Sequence, residues 1–134
     1  MTESRAVSPP GTLQVLAGQI EIPKFTDAAS RDRHLRRVVT LVGAALERRR
    51  ADLVVLPELS SVPYDEHLGA ALPVLAEPLE GPSFAAFAAL AERFGVNVLF
   101  GFPRRADDGY RICQALVGTS GTLLGHYDKI HLAN

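Results

Sequence analysis

A short apolar run that closes on a proline and an acid, Asp52-Leu53-Val54-Val55-Leu56-Pro57-Glu58, lies between two stretches of helical periodicity. It is nearly all apolar and partly β-branched, the composition of a strand covered on both faces. Upstream, Leu35, Val38, Val39, Val42, Ala45 and Leu46 recur at spacings of three and four. They form one apolar stripe and predict a helix from about Ala28 to Arg50. Downstream, Phe84, Phe87, Ala88, Ala91 and Phe94 line one face of a second helix. Gly81-Pro82-Ser83 starts it, with proline near the first position, and Gly95 is a suitable stop.

The remaining segments complete an alternation. Leu13 to Gln19 reads as a short buried strand, and Ile22 to Asp27 as a loop. Glu58 to Pro78 carries Pro63, Pro73 and Pro78 and reads as an irregular loop with at most a short helical turn. Val96 to Phe102 is a third strand. Asp107-Asp108-Gly109 is a hairpin signal, followed by strands over Tyr110 to Val117 and Thr122 to Tyr127. The order β-α-β-α-β-β-β predicts an α/β domain with a mixed sheet and two main helices. In such sheets functional groups collect at the carboxyl ends of the strands, which is where Glu58 falls.

Composition narrows the function classes. The chain has 134 residues, a formal net charge of −1 and 47% hydrophobic residues, enough for one modest domain with a core. Nothing in that balance points to nucleic acid or to a membrane as a partner. Arg48-Arg49-Arg50 falls at a helix end and complements its dipole. No apolar run approaches the length needed to cross a bilayer. Met1 to Gly11 lacks an apolar core and reads as a disordered polar tail rather than a secretory signal, with the domain occupying 12–134. The single cysteine, Cys113, excludes an internal disulfide and fits a reducing, cytoplasmic setting.

Individual side chains admit more than one role. Glu58 suits a general base, since a partly buried carboxylate is raised toward the working range; a solvated loop glutamate or a helix cap is the blander reading. Lysine occurs only at Lys24 and Lys129 in a chain that otherwise takes its positive charge from arginine. A compact ammonium at Lys129 can stand beside a developing oxyanion as a point charge; a surface lysine is the alternative. Cys113, inside the apolar strand segment Ile112 to Val117, reads as a small buried filler rather than a nucleophile. Tyr64 reads as a packed loop tyrosine, with a pocket wall as its alternative. His34 belongs to a basic helix segment and is expected to be exposed. His34, His67, His126 and His131 do not form a metal signature, and His126 and His131 fall on opposite faces of a regular strand. No Gly-rich phosphate loop follows the first strand, and no Gly-x-Ser-x-Gly elbow is present.

From about Leu13 to its end the chain resembles the nitrilase, or carbon–nitrogen hydrolase, superfamily. The resemblance is carried by several segments in one order. They are Leu16-Ala17-Gly18-Gln19, the Asp52-to-Glu58 strand, Glu80-Gly81-Pro82-Ser83 with its helix, Asn97 to Pro103, and Gly121 to Leu132 around Tyr127-Asp128-Lys129-Ile130-His131. It implies a four-layer α-β-β-α sandwich, of which this sequence is the N-terminal half. It also implies hydrolysis of a non-peptide C–N bond in a small amide or nitrile by a Glu-Lys-Cys site, without cofactor or metal. In that site Glu58 corresponds to the base and Lys129 to the stabiliser of the tetrahedral intermediate.

The departures matter as much. The family's cysteine follows the lysine by some tens of residues, and only five residues follow Lys129 here. Cys113 precedes it and does not match. The expectation is therefore a truncated hydrolase domain, inactive alone, with one apolar sheet face that drives homo-oligomerisation or needs the missing C-terminal half. The alternative is a non-catalytic binding or assembly module, or an inactive truncated product.

Overall fold

The computed structural model describes residues 9–130; 1–8 and 131–134 lie outside it, and with them most of the expected tail and the last motif positions, His131 and Leu132. The element order is β1 (Val15–Ala17), α1 (Ala28–Arg48), β2 (Leu53–Val55), α2 (Leu68–Leu75), α3 (Pro82–Phe94), β3 (Asn97–Ala106), β4 (Gly109–Val117) and β5 (Leu123–Asp128). The five strands form one sheet in chain order. β1, β2 and β3 run parallel, and β3, β4 and β5 are antiparallel.

Local chemistry accounts for the helices. Asp27 caps α1: its carboxylate accepts the Ser30 N–H at 2.9 Å and the Ser30 hydroxyl at 2.7 Å. Pro82 occupies the first turn of α3, and Gly95 closes that helix at φ +60°, a left-handed conformation that costs glycine little. The cap of α3 comes from a distance. The carboxylate of buried Glu77 accepts the Ser83 N–H and the Ser83 hydroxyl, both at 2.6 Å. Burial pushes that carboxyl upward, and the two Ser83 hydrogen bonds oppose the shift.

One difference from the sequence reading lies between Glu58 and Pro78. This stretch contains an eight-residue helix, α2, with Pro73 inside it. Proline removes one intrahelical hydrogen bond, which argues for a loop. Packing outweighs that loss, because Ala71 and Leu75, one turn apart, close on Leu59 and Val62 with Phe25 and Ile112 alongside.

The main core fills one face of the sheet. Leu35, Val38, Val42 and Leu46 of α1 and Phe87, Leu90 and Ala91 of α3 pack on Val54, Val98, Phe100, Phe102, Cys113, Ala115 and Val117. Phe100 is central, with ring centroids 4.8 Å from Phe87 and 5.6 Å from Phe102. The opposite face is different. Leu53, Val55, Leu99 and Leu116 alternate with the fully buried positions and are only half-buried. On the edge strands, Val15 is 50% exposed, Leu124 61% and Tyr127 59%. The expected double cover of the Asp52-to-Leu56 strand is thus complete on the helix side alone.

β3 spans ten residues and β2 only three, so β3 outruns its parallel neighbour. Two segments satisfy the free edge. Ser60 bonds to Gly101, and Glu77 donates its N–H to Pro103 O at 2.9 Å and accepts the Arg105 N–H at 2.7 Å. This overhang positions the candidate site.

Candidate functional site

Glu58 lies three residues past the end of β2, beyond the carboxyl end of a parallel strand. Lys129 follows β5, and its N–H donates to Ile112 O at 2.8 Å, which ties it to β4. The two side chains meet although 71 residues separate them: Lys129 Nζ donates to Glu58 Oε1 at 2.8 Å. Both remain accessible, with side-chain exposures of 36% for Lys129 and 53% for Glu58. The Lys129 ammonium is held above the usual lysine range, first by the Glu58 hydrogen bond, and its charge persists at neutral pH.

The residue before Lys129 is also fixed. Asp128 accepts two bonds from Arg104, Nε at 3.1 Å and Nη2 at 2.7 Å, a bidentate pair across the sheet. Arg104 holds the Asp128 carboxyl below the usual range. Asp128 in turn stands beside Cys113 in the register of β4 and β5. The thiol is wholly buried and pushed up to about 12, first by burial and then by Asp128. A thiol in that state does not ionise near neutrality, so Cys113 is a packing residue.

Glu58 is placed by close backbone contact. A Cβ on Gly101 would lie 1.6 Å from Glu58 O, so the turn carrying Glu58 crosses directly over a position that only glycine leaves open. Ser60 brackets the same glycine. Its N–H donates to Gly101 O at 2.8 Å, its Oγ accepts the Gly101 N–H at 3.1 Å, and its hydroxyl donates to Pro57 O at 2.7 Å. Sequence reading did not single out Ser60 or Gly101. A glycine interrupting the apolar run of β3 was the available signal for a close backbone approach.

A cleft of about 260 Å³, lined by Leu59, Tyr64, Leu68, Leu72, Tyr110 and Ile112 among others, adjoins the pair through Leu59, the residue after Glu58, and Ile112, whose carbonyl holds the Lys129 N–H; neither Glu58 nor Lys129 is in its lining. Tyr64 is 70% exposed and lines this cleft, so it is not the packed loop residue expected from sequence. It is close enough to Lys129 to act on its charge. His34 also departs from expectation. It is 2% exposed, because it lies on the inward side of α1 between Leu35 and Arg31, which are likewise buried. Among the described residues no group of three or more His, Cys, Asp or Glu could hold a metal ion, and no helix is long and apolar enough to cross a membrane.

Residues 15–134 match the family profile for carbon–nitrogen hydrolases. The chain belongs to the carbon–nitrogen hydrolase family. A hydrolase of Pseudomonas protegens encoded in the pqqF 5′ region is 38% identical over 112 residues, covering 82% of this chain and 36% of that protein. Among solved structures, an N-terminal amidase superposes with a TM-score of 0.79 at 20% identity, over 91% of this chain and 29% of the other. Nit3 of Saccharomyces cerevisiae, a member of the nitrilase superfamily, superposes with a TM-score of 0.72 at 19% identity, over 94% and 48%. At these identities the two structures establish the shared fold. The chain spans well under half the length of the curated relatives it matches. The N-terminal half of the nitrilase-type fold expected from sequence is the fold observed.

Proposed function

We propose that Glu58 and Lys129 are the base and the electrostatic stabiliser of a thiol-dependent hydrolase acting on a C–N bond of a small amide or nitrile. The observation that carries this reading is the 2.8 Å contact between the two groups, at strand ends beside an open, largely apolar cleft. A cleft with apolar walls and a few convergent polar groups is what a small substrate requires.

The chemistry needs a thiol that Cys113 cannot supply, so the nucleophile comes from polypeptide outside this sequence. Glu58 takes the proton of that thiol. The thiolate attacks the carbon of the C–N bond, and the negative charge that develops on the carbonyl oxygen, or on the nitrile nitrogen, falls beside the Lys129 ammonium. In the amide case the intermediate collapses with loss of the amine, which takes the proton from Glu58. Water, deprotonated by the same carboxylate, then hydrolyses the thioester and restores the thiol.

The test is ammonia release from a panel of amides and nitriles by this chain extended with the C-terminal portion found in its longer relatives. The extended protein is active, and Glu58→Gln and Lys129→Ala each lower turnover by about 10²–10³-fold. Full activity in both variants refutes the assignment.

A second reading is favoured by the state of Cys113. Its only thiol being buried and un-ionised, the chain by itself is a non-catalytic module that binds or assembles through its half-covered sheet face. Concentration-dependent association of the unextended chain, without hydrolysis, supports that reading.

A further inference from the structure

We propose that His34 is a positioning residue for Glu58, reaching from α1 through Ser60 to fix the turn that carries the carboxylate over Gly101. This rests on the reading of Glu58 as the base, and it assigns a task to a buried polar side chain that the proposed reaction does not use.

The ring is defined on both sides. His34 Nε2 lies 2.8 Å from Ser60 O, and Nδ1 lies 3.1 Å from Arg37 Nη2. A guanidinium only donates, so Nδ1 is the acceptor and Nε2 carries the proton that goes to Ser60 O. Arg37 is in turn held by Glu21 O, and Phe25 packs on the ring with centroids 5.8 Å apart. The imidazole is thus a neutral donor of fixed tautomer, built into α1 and aimed at one carbonyl.

That carbonyl belongs to the residue that governs the Glu58 turn. Ser60 is fully buried and is bonded on three further sides, twice to Gly101 and once to Pro57 O, the carbonyl immediately before Glu58. β3 therefore sets the turn from one side, and the helix layer sets it from the other through His34. Loss of the Nε2 donor leaves Ser60 O buried without a partner, a defect that is relieved if the turn rotates and carries Glu58 away from Lys129.

NMR of the full chain tests this without requiring activity. In the wild type, Lys129 Hε and Glu58 Hγ protons show a mutual contact, and the Ser60 and Gly101 amides are protected. In His34→Ala the contact disappears and these amides exchange on the order of tenfold faster. His34→Gln, which can place an amide N–H near the Nε2 position, restores both. Leu35→Ala, a core deletion on the same helix, lowers stability and keeps the Glu58–Lys129 contact. A folded His34→Ala that retains contact and protection overturns the proposal, and so does a wild-type chain without the contact. Should His34→Ala not fold, His34→Gln decides: a folded protein with the contact supports the role, and an unfolded one or a folded one without the contact refutes it. Loss of the contact in His34→Ala together with full activity of extended Glu58→Gln removes the catalytic reading and leaves the positioning relationship standing.

Discussion

Ser60 and Gly101 exchange two hydrogen bonds, from the Ser60 N–H to Gly101 O at 2.8 Å and from the Gly101 N–H to Ser60 Oγ at 3.1 Å. The pairing replaces the ladder that β2 would have made had it continued along β3. It leaves the intervening residues, Pro57 to Leu59, to arch over the glycine, and Glu58 stands at the top of that arch.

Gly101→Ala is accordingly expected to be costly. The new methyl would lie 1.6 Å from Glu58 O, 2.4 Å from the Glu58 carbonyl carbon and 3.0 Å from Pro57 O, all of them backbone. The turn must lift, at a cost of about 1–3 kcal/mol or more in stability. Lifting it also separates Glu58 from Lys129. Thermal melting and the Lys129–Glu58 proton contact report the two effects. A variant with wild-type melting and an intact contact would show that the arch has slack.

Acid should weaken the fold through His34. Burial is the main cause holding its imidazole below the ordinary value of 6.5, the Ser60 bond opposes the shift, and Arg37 adds to it. The unfolded chain therefore takes up a proton near 6.5 while the folded chain resists until lower pH. Between those values the unfolded state binds more protons, so the contribution is present above 6.5 and lost as the pH falls through the folded value. Groups facing the ring are consistent with this sign, since a proton on Nδ1 would confront the Arg37 guanidinium. Urea midpoints measured between about pH 7.5 and 5.5 are expected to fall more steeply for the wild type than for His34→Gln. Parallel slopes in the two proteins would contradict it.

Cys113 should be inert while the chain is folded. With its thiol pushed up to about 12 and no accessible surface, labelling by a maleimide at neutral pH proceeds only at the rate of unfolding. The same shift has a consequence in alkali. An unfolded thiol ionises near 9.0 and the folded one near 12, so stability drops as the pH climbs past the lower value. Rapid labelling of the native chain, at the rate of a free thiol, would show that the strand pair β4–β5 opens locally.

Much of this architecture can be read from residue order. The stripe Leu35, Val38, Val42, Leu46 announces α1, and Pro82 with Gly95 brackets α3, because the apolar period and the cap chemistry agree. Glu58 and Lys129 stand out through the family resemblance rather than through their own pattern, since singly each reads equally as a loop glutamate or a surface lysine. α2 is not legible, because Pro73 speaks against a helix and the packing that overrides it includes Phe25 and Ile112, remote from it in sequence. The burial of His34 is hidden by its neighbours Arg33, Arg36 and Arg37, which face solvent on the same helix while Arg31 and His34 turn inward. The tie between Ser60 and Gly101 spans 41 residues and carries no local pattern.

The overhang of β3 has one more implication. Glu58 is located from Gly101 on its one edge, and Lys129 from Ile112, the register partner of Pro103 on its other edge. Both charges are thus gauged from a single datum, two residues apart on the same strand. On the proposed reading, the adjoining cleft walls, Tyr64, Leu68 and Tyr110 among them, vary to suit differently shaped molecules without recalibrating the spacing of acid and amine.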